Sequence, residues 1–247
     1  MPIERAFVQV QRPERPEVEA QALLQTLAAR GIRTEAFAAK RLQRRQLPLE
    51  RGDLVAGDLD VMRTAFRILG IDGPFLATYP KALRPRMGRG VWEATVSEVH
   101  SLVEARGPMF VKPLEDAKRF SGFVFGGRND GFGFAGASQR LRVLCSDVVS
   151  FAHEIRMYVV DGEVVASAAY AGTPQSSLLP FANECIDELR GAGFLPRGFA
   201  IDIGVLASGE VVVVECNEGF GLGLYPGVDF AAYTELICAR WEELVAG

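Results

Sequence analysis

The chain has 247 residues, 49% of them apolar and 23% charged, and a net charge of −4. This is the profile of an ordinary soluble globular protein, with room for one large domain or two small ones. No basic block marks a nucleic-acid partner, no apolar run approaches the ~18–20 residues of a bilayer span, and MPIERAFVQVQRPERPE lacks the apolar core of a signal peptide, so the chain reads as cytoplasmic.

Taken in order, Ala6–Val10 reads as a strand, Glu17–Arg30 as a helix stopped by Gly31, Ile32–Ala38 and Leu54–Ala56 as strands, and Leu59–Leu69 as a helix ended by Gly70. Strands alternating with helices predict a small parallel-sheet unit. It carries neither GxGxxG nor GxxxxGK[ST]. Residues 70–92, rich in Pro, Gly and Arg, read as a connection between lobes. Arg84, Arg86 and Arg89 either line an anionic site or sit in a solvated loop, and for each singly the loop is the better reading. A helix follows over Thr95–Ala105, then a strand, MFVKP, with Lys112. Lysine is scarce here: of 27 cationic residues only Lys40, Lys81, Lys112 and Lys118 are lysine. Two of the four lie close together, by design or by chance, and a compact ammonium suits a phosphate oxygen differently from a guanidinium.

Phe120–Gly136 holds six glycines and five phenylalanines and reads as a hairpin around Arg128-Asn129-Asp130-Gly131. It is either a mobile cover, with glycines admitting a phosphate and phenylalanines excluding water, or a sheet edge with glycine bulges. Arg142–Val149 is a strand or linker. Phe151–Val160 and Glu163–Tyr170 form a hairpin at Asp161-Gly162 that places Glu154, Arg156 and Tyr158 on one face, with Arg156 opposite Ser167. Leu178–Arg190 and Asp229–Leu244 read as helices. The four cysteines fit no zinc or disulfide spacing and read as reduced packing residues.

The most informative stretch is FAIDIGVLASGEVVVVECNEG, Phe199–Gly219. A two-residue turn at Ser208-Gly209 sets Asp202 directly opposite Glu215, and strand periodicity adds Asn217 to the same face. Two facing carboxylates repel, so the pattern calls for a cation, and two carboxylates with an amide oxygen suit Mg²⁺. The other reading is a solvated polar edge, which a register slip of one residue would produce.

Together, FVKP, the glycine-rich segment, HEIRMYVVDGEVV and IDIG…GEVVVVECNEG resemble an ATP-grasp domain over about Met109–Leu244. K-x-F-x-G at Lys118, Phe120 and Gly122, together with Arg156, resembles the small ATP-grasp clade defined by two arginines and a lysine. The resemblance implies an α+β fold of two lobes clasping ATP (residues 81–247, lobe boundary near 144–150), preceded by a small α/β pre-ATP-grasp domain (residues 1–80). It implies Lys112, Lys118 and Arg156 as catalytic charges. Lys112 and Lys118, with the linker residues Cys145, Ser146, Asp147 and Val148 and with Glu154, would hold ATP, while Asp202, Glu215 and Asn217 would hold Mg²⁺. The implied activity is an ATP-dependent, ADP-forming carboxylate–amine ligation through an acyl phosphate, on an amino acid or peptide. The alternative is a nucleotide-binding module that keeps the fold without ligation. Expected partners are small-molecule or peptide carboxylates and amines, with a homodimer admitted and nucleic acid and membrane excluded.

Overall fold

The protein is described by a computed structural model over residues 3–12, 14–114, 120–172 and 178–246. The N-terminal unit runs β1 (Arg5–Gln9), α1 (Val18–Ala29), β2 (Arg33–Phe37), α2 (Ala39–Gln43), β3 (Leu54–Ala56) and α3 (Leu59–Leu69), with a parallel sheet in the order β2-β1-β3. The helix α3 begins where the Asp58 carboxylate accepts from the amides of Asp60 and Val61, both at 3.0 Å, and ends at Gly70 in the left-handed region.

A first antiparallel sheet is built from β4 (Val91–Thr95), β5 (Met109–Pro113), β6 (Phe123–Phe125) and β7 (Arg142–Asp147), in the order β4-β7-β5-β6. The helix α4 (Val96–Arg106) joins β4 to β5, and Thr95 and Glu98 close a reciprocal cap at its start. A second antiparallel sheet contains β8 (Phe151–Val160), β9 (Glu163–Ala171), β10 (Gly198–Leu206) and β11 (Val211–Glu218), in the order β11-β10-β8-β9. The helices α5 (Leu178–Gly191) and α6 (Phe230–Ala246) complete it.

The second sheet is covered on both faces, which is why β10 is an almost continuous apolar run. On one face Ile155, Met157, Ile201 and Ile203 pack with Cys185, Ile186 and Leu189 of α5. On the other, Tyr158 and Ala200 join Tyr233, Leu236 and Trp241 of α6, and this layer runs on into Phe7, Leu27, Leu54 and Met62 of the N-terminal unit. Each such large side chain contributes on the order of 1.5–3 kcal/mol by leaving water. No helix among the described residues is long and apolar enough to cross a membrane.

Four local expectations need correction. Residues 70–92 are not only a connection: Lys81–Arg86 forms a 3-10 turn, and Val91 and Trp92 open β4. Phe120–Gly136 is not a hairpin. Phe123–Phe125 pairs back onto β5, and Arg128–Phe134 is 3-10 helical. Its rings fill the core of the first lobe, where Phe123 and Phe134 meet edge to face at 5.0 Å, while Phe132 is 88% exposed. The β8–β9 ladder is irregular, so Arg156 faces Ala168 instead of Ser167. The late hairpin turns through three residues, not two: Leu206 and Glu210 pair across Ala207-Ser208-Gly209, with Gly209 at φ +88°. A bulge at Val214 then restores the register, and Asp202 does stand opposite Glu215. All four cysteines are free thiols; burial pushes Cys145 up to about 11 and Cys185 up to about 12.

Candidate active site

A cleft of about 300 Å³ lies between the two antiparallel sheets. Its walls include Tyr79, Arg89, Ser146, Asp147, Val148, Phe151, Glu154, Tyr170 and Glu215. Lys112 reaches from β5 across to β11, and its Nζ donates to Glu215 Oε2 at 2.9 Å. The same ammonium stands 4.5 Å from the centre of the Tyr79 ring. One lobe therefore supplies the cation and the other the anion.

Beside this pair, on the same sheet face, Arg156 holds Asp202 in a two-pronged grip: Nε to Oδ1 and Nη2 to Oδ2, both at 2.8 Å. Asp202 is 2% exposed and Arg156 7%. Tyr170 donates to Glu154 Oε2 at 3.1 Å and approaches Asp202 Oδ2 at 3.4 Å; Asn217 Nδ2 donates to that oxygen at 3.3 Å. The Tyr225 ring stacks on Tyr170 at 4.8 Å and lies under the Arg156 guanidinium at 4.9 Å. Tyr158 completes the network by donating to the Gly223 carbonyl and accepting from the Tyr225 amide. That ties the glycine-rich loop after β11 to the site.

Burial raises the Asp202 carboxyl above the usual aspartate range, against the opposing pull of Arg156. Burial likewise raises Glu154, with the Tyr170 hydrogen bond opposing it and the charges of Asp202 and Glu215 reinforcing it. An acid raised in the folded state favours its protonated form there. Its contribution to stability is therefore greatest below its unfolded pKa of about 4.3 and declines as pH rises through the folded value. Glu154→Gln is accordingly expected to be more stable than the parent at pH 7, and to lose less stability between about pH 4.5 and 7. Urea midpoints across that window measure it; parallel pH profiles for the two proteins would exclude a raised Glu154.

The two facing carboxylates were expected to need a cation between them. Each has an organic cation beside it, Arg156 for Asp202 and Lys112 for Glu215. Among the described residues no three His, Cys, Asp or Glu side chains gather as a metal site. The Asp202–Glu215–Asn217 set is two carboxylates and an amide. Its chemistry fits a hard divalent ion, and Lys112 holds beside Glu215 the positive charge such an ion would supply. Asp202 is the most committed of the three, since Arg156, Tyr170 and Asn217 already crowd its two oxygens.

Other expected residues fall less evenly. Ser146 and Asp147 end β7, and Val148 starts the short connection into β8; all three line the cleft. Cys145 does not. Its thiol is buried in the first-lobe core, and its backbone is paired on both sides, with Trp92 and with Val111. Lys118 lies outside the described residues. Arg84 pairs with Glu93, and Arg86 with Glu184 and Glu188, so both are structural. Tyr79 and Tyr170 were not anticipated. A tyrosine in the small-residue run ASAAYA was the available signal for Tyr170.

A second cavity, about 220 Å³, opens where β1 and β3 end, between Gln9, Gly57 and Asp58 on one side and Phe220–Gly223 on the other. Glu17 and Glu19 stand on its rim. Trp241 lines it, and its indole N–H is buried with no hydrogen-bond partner among the described residues. Crevices outside the carboxyl ends of parallel strands are common ligand sites.

Two antiparallel sheets closing on a cleft, a strand lysine bridging it and an E-x-N strand opposite define an ATP-grasp domain. The model of an ATP-grasp domain family, the second family of the clade named for two arginines and a lysine, matches residues 87–236. The match spans more than half of the chain, and the chain belongs to that family. Among solved structures, it is similar to a RimK domain ATP-grasp protein from Sphaerobacter thermophilus DSM 20745, with TM-score 0.60 and 16% identity over 98% of this chain and 100% of that one. It is similar also to D-cycloserine synthetase DcsG, with TM-score 0.64 and 12% identity over 97% and 99% of the two chains. D-alanine–D-alanine ligase from Bacillus anthracis gives TM-score 0.59 and 14% identity over 99% and 98%. At these identities the likeness is one of fold. No curated protein sequence matches.

Proposed function

We propose that the chain is an ATP-dependent, ADP-forming carboxylate–amine ligase that activates its substrate as an acyl phosphate and acts on an amino acid or peptide in the cytoplasm. One observation carries the reading: Lys112 of one lobe pairs with Glu215 of the other beside a cleft that Glu215 lines, with Asp202 opposite Glu215 in the ladder and hydrogen-bonded by Asn217. Magnesium held by Glu215, Asn217 and Asp202 would neutralise phosphate charge. The chain's own residues do the rest. Lys112 leaves Glu215 for a phosphate oxygen, a change that Tyr79 eases by keeping its face toward the ammonium. Arg156, rigidly held by Asp202 and Tyr225, presents fixed positive charge to the group being transferred. The connection at Val148 and Val149, which lines the cleft just after β7, would receive the nucleotide base at the junction of the lobes. The cavity beneath the Gly221–Gly223 loop is the place for the second substrate. Its carboxylate rim suits an amine.

A second reading has support too. Four charged groups of the site, Lys112 with Glu215 and Arg156 with Asp202, neutralise one another in pairs, an arrangement that a nucleotide-binding module without ligation would also permit. ADP release separates the two. A ligase is expected to release ADP only when ATP, Mg²⁺ and a carboxylate are all supplied, and more when an amine is added. Pooled amino acids and short peptides are the first screen. Tight ATP binding with no ADP across that screen would favour the module.

A further inference from the structure

We infer that Arg89 is a positioning residue that sets Glu215 on the cleft face of β11, by clamping the bulge at Val213–Val214. This rests on Glu215 serving nucleotide-bound magnesium. From the hairpin turn, Val205, Gly204 and Ile203 pair in step with Val211, Val212 and Val213. Asp202 then pairs with Glu215, so Val214 is skipped. An unbroken ladder would put Val214 opposite Asp202 and turn Glu215 toward the apolar layer that holds Val213 and Cys216. The metal-binding face of the hairpin thus exists because of one extra residue.

A bulge leaves backbone carbonyls without ladder partners. Arg89 supplies them: Nη1 donates to Val213 O at 3.2 Å and Nη2 to Val214 O at 2.7 Å. Its guanidinium is itself held between the rings of Tyr79 and Phe151, 5.2 and 5.7 Å from their centres. Two adjacent carbonyls suit a planar fork and not the single point of a lysine. The flanking glycines bring the arginine in. A Cβ at Gly88 would stand 2.5 Å from Val212 Cγ1, and the Gly90 amide donates to Asp147 Oδ2 at 2.8 Å. One short segment therefore fixes Glu215 relative to the junction between the lobes.

The test uses Arg89→Met, Arg89→Lys, deletion of Val214, and the deletion combined with Arg89→Met. Calorimetry reads ATP affinity with and without Mg²⁺, and hydrogen exchange reads the free protein. Arg89→Met is expected to cut the Mg²⁺-dependent gain in ATP affinity by about tenfold, well beyond any fall in metal-free ATP affinity, and to speed exchange at Val214 and Glu215. Arg89→Lys should restore the gain only in part. Deleting Val214 lets the ladder run in one register with Glu215 still opposite Asp202, so Arg89→Met should cost less than about twofold there. An equal loss with and without Val214, or a matching fall in metal-free affinity, would mean that Arg89 touches the nucleotide itself and would overturn the inference. Unchanged exchange in Arg89→Met would overturn it as well. A parent protein whose ATP affinity ignores Mg²⁺ would instead remove the metal reading, and exchange alone would then decide whether Arg89 holds the bulge.

Discussion

Glu215→Gln is expected to lower Mg²⁺-dependent ADP release by on the order of 10²–10³-fold while leaving the fold intact. The substitution keeps the size of the side chain, which is 28% exposed at the cleft wall, so little packing is lost. What changes is charge. Lys112 loses its partner at 2.9 Å and keeps the face of Tyr79, while the Asp202–Glu215–Asn217 set loses the carboxylate that stands outside the buried Arg156–Asp202 pair. Initial rates over a Mg²⁺ titration measure the effect, with circular dichroism as the control for folding. Turnover at the parent rate, or turnover that persists in excess EDTA, would take Glu215 out of the metal site.

Arg156→Met is expected to cost about 3–5 kcal/mol of stability, because it strands a buried carboxylate. Asp202 is 2% exposed and loses both prongs of the guanidinium at once. Tyr170 and Asn217 remain as donors but bring no net charge. Adding Asp202→Leu should recover most of the loss, since a matched apolar pair fills the space without an orphaned charge. The sign of the pH dependence is fixed too. Burial already raises Asp202, and without Arg156 the carboxyl rises further. The single variant should therefore lose stability as pH rises from about 4 toward 7, through its raised folded value. Urea midpoints of the two variants across this range test the account. A single variant that costs under about 1 kcal/mol would show that water reaches the pair.

In the late hairpin the facing pair is legible from the sequence only because two errors cancel. Ser208-Gly209 looks like a two-residue turn, yet the loop has three, with Gly209 in the left-handed region. The lost step is regained at Val214. Nothing in VVVV distinguishes a bulged valine from its neighbours, because the cause lies elsewhere: Arg89, more than a hundred residues earlier, and Gly204, where a Cβ would stand 2.9 Å from Val214 Cγ2. The same limit hid β4, whose first residues follow GRG and become a strand only by pairing with β7. It also hid the partners of Lys112 and Arg156. Local patterns found the helices ended by Gly31 and Gly70, because those signals sit within a few residues of the structure they specify. Pairing between distant segments leaves no such trace. Phe120–Gly136 left two readings open for a related reason: a cover over a cleft and a sheet edge share one composition, and only the pairing of Phe123–Phe125 as the edge strand of the first sheet, with its rings filling that lobe's interior, separates them.

The layer that joins α6 to the N-terminal sheet has a consequence for the order in which the chain can mature on the ribosome. Thr234 of α6 donates to the Ala22 carbonyl of α1, and Arg51 reaches the Val245 carbonyl. Phe7, Leu27 and Met62 share one apolar layer with Leu236 and Trp241. The first sixty-nine residues emerge early, but the surface they must cover is delivered by a helix about 160 residues later. Until then the nascent N-terminal unit presents an uncovered flank to the cell, and trimming the chain before Phe230 would leave that flank open for good.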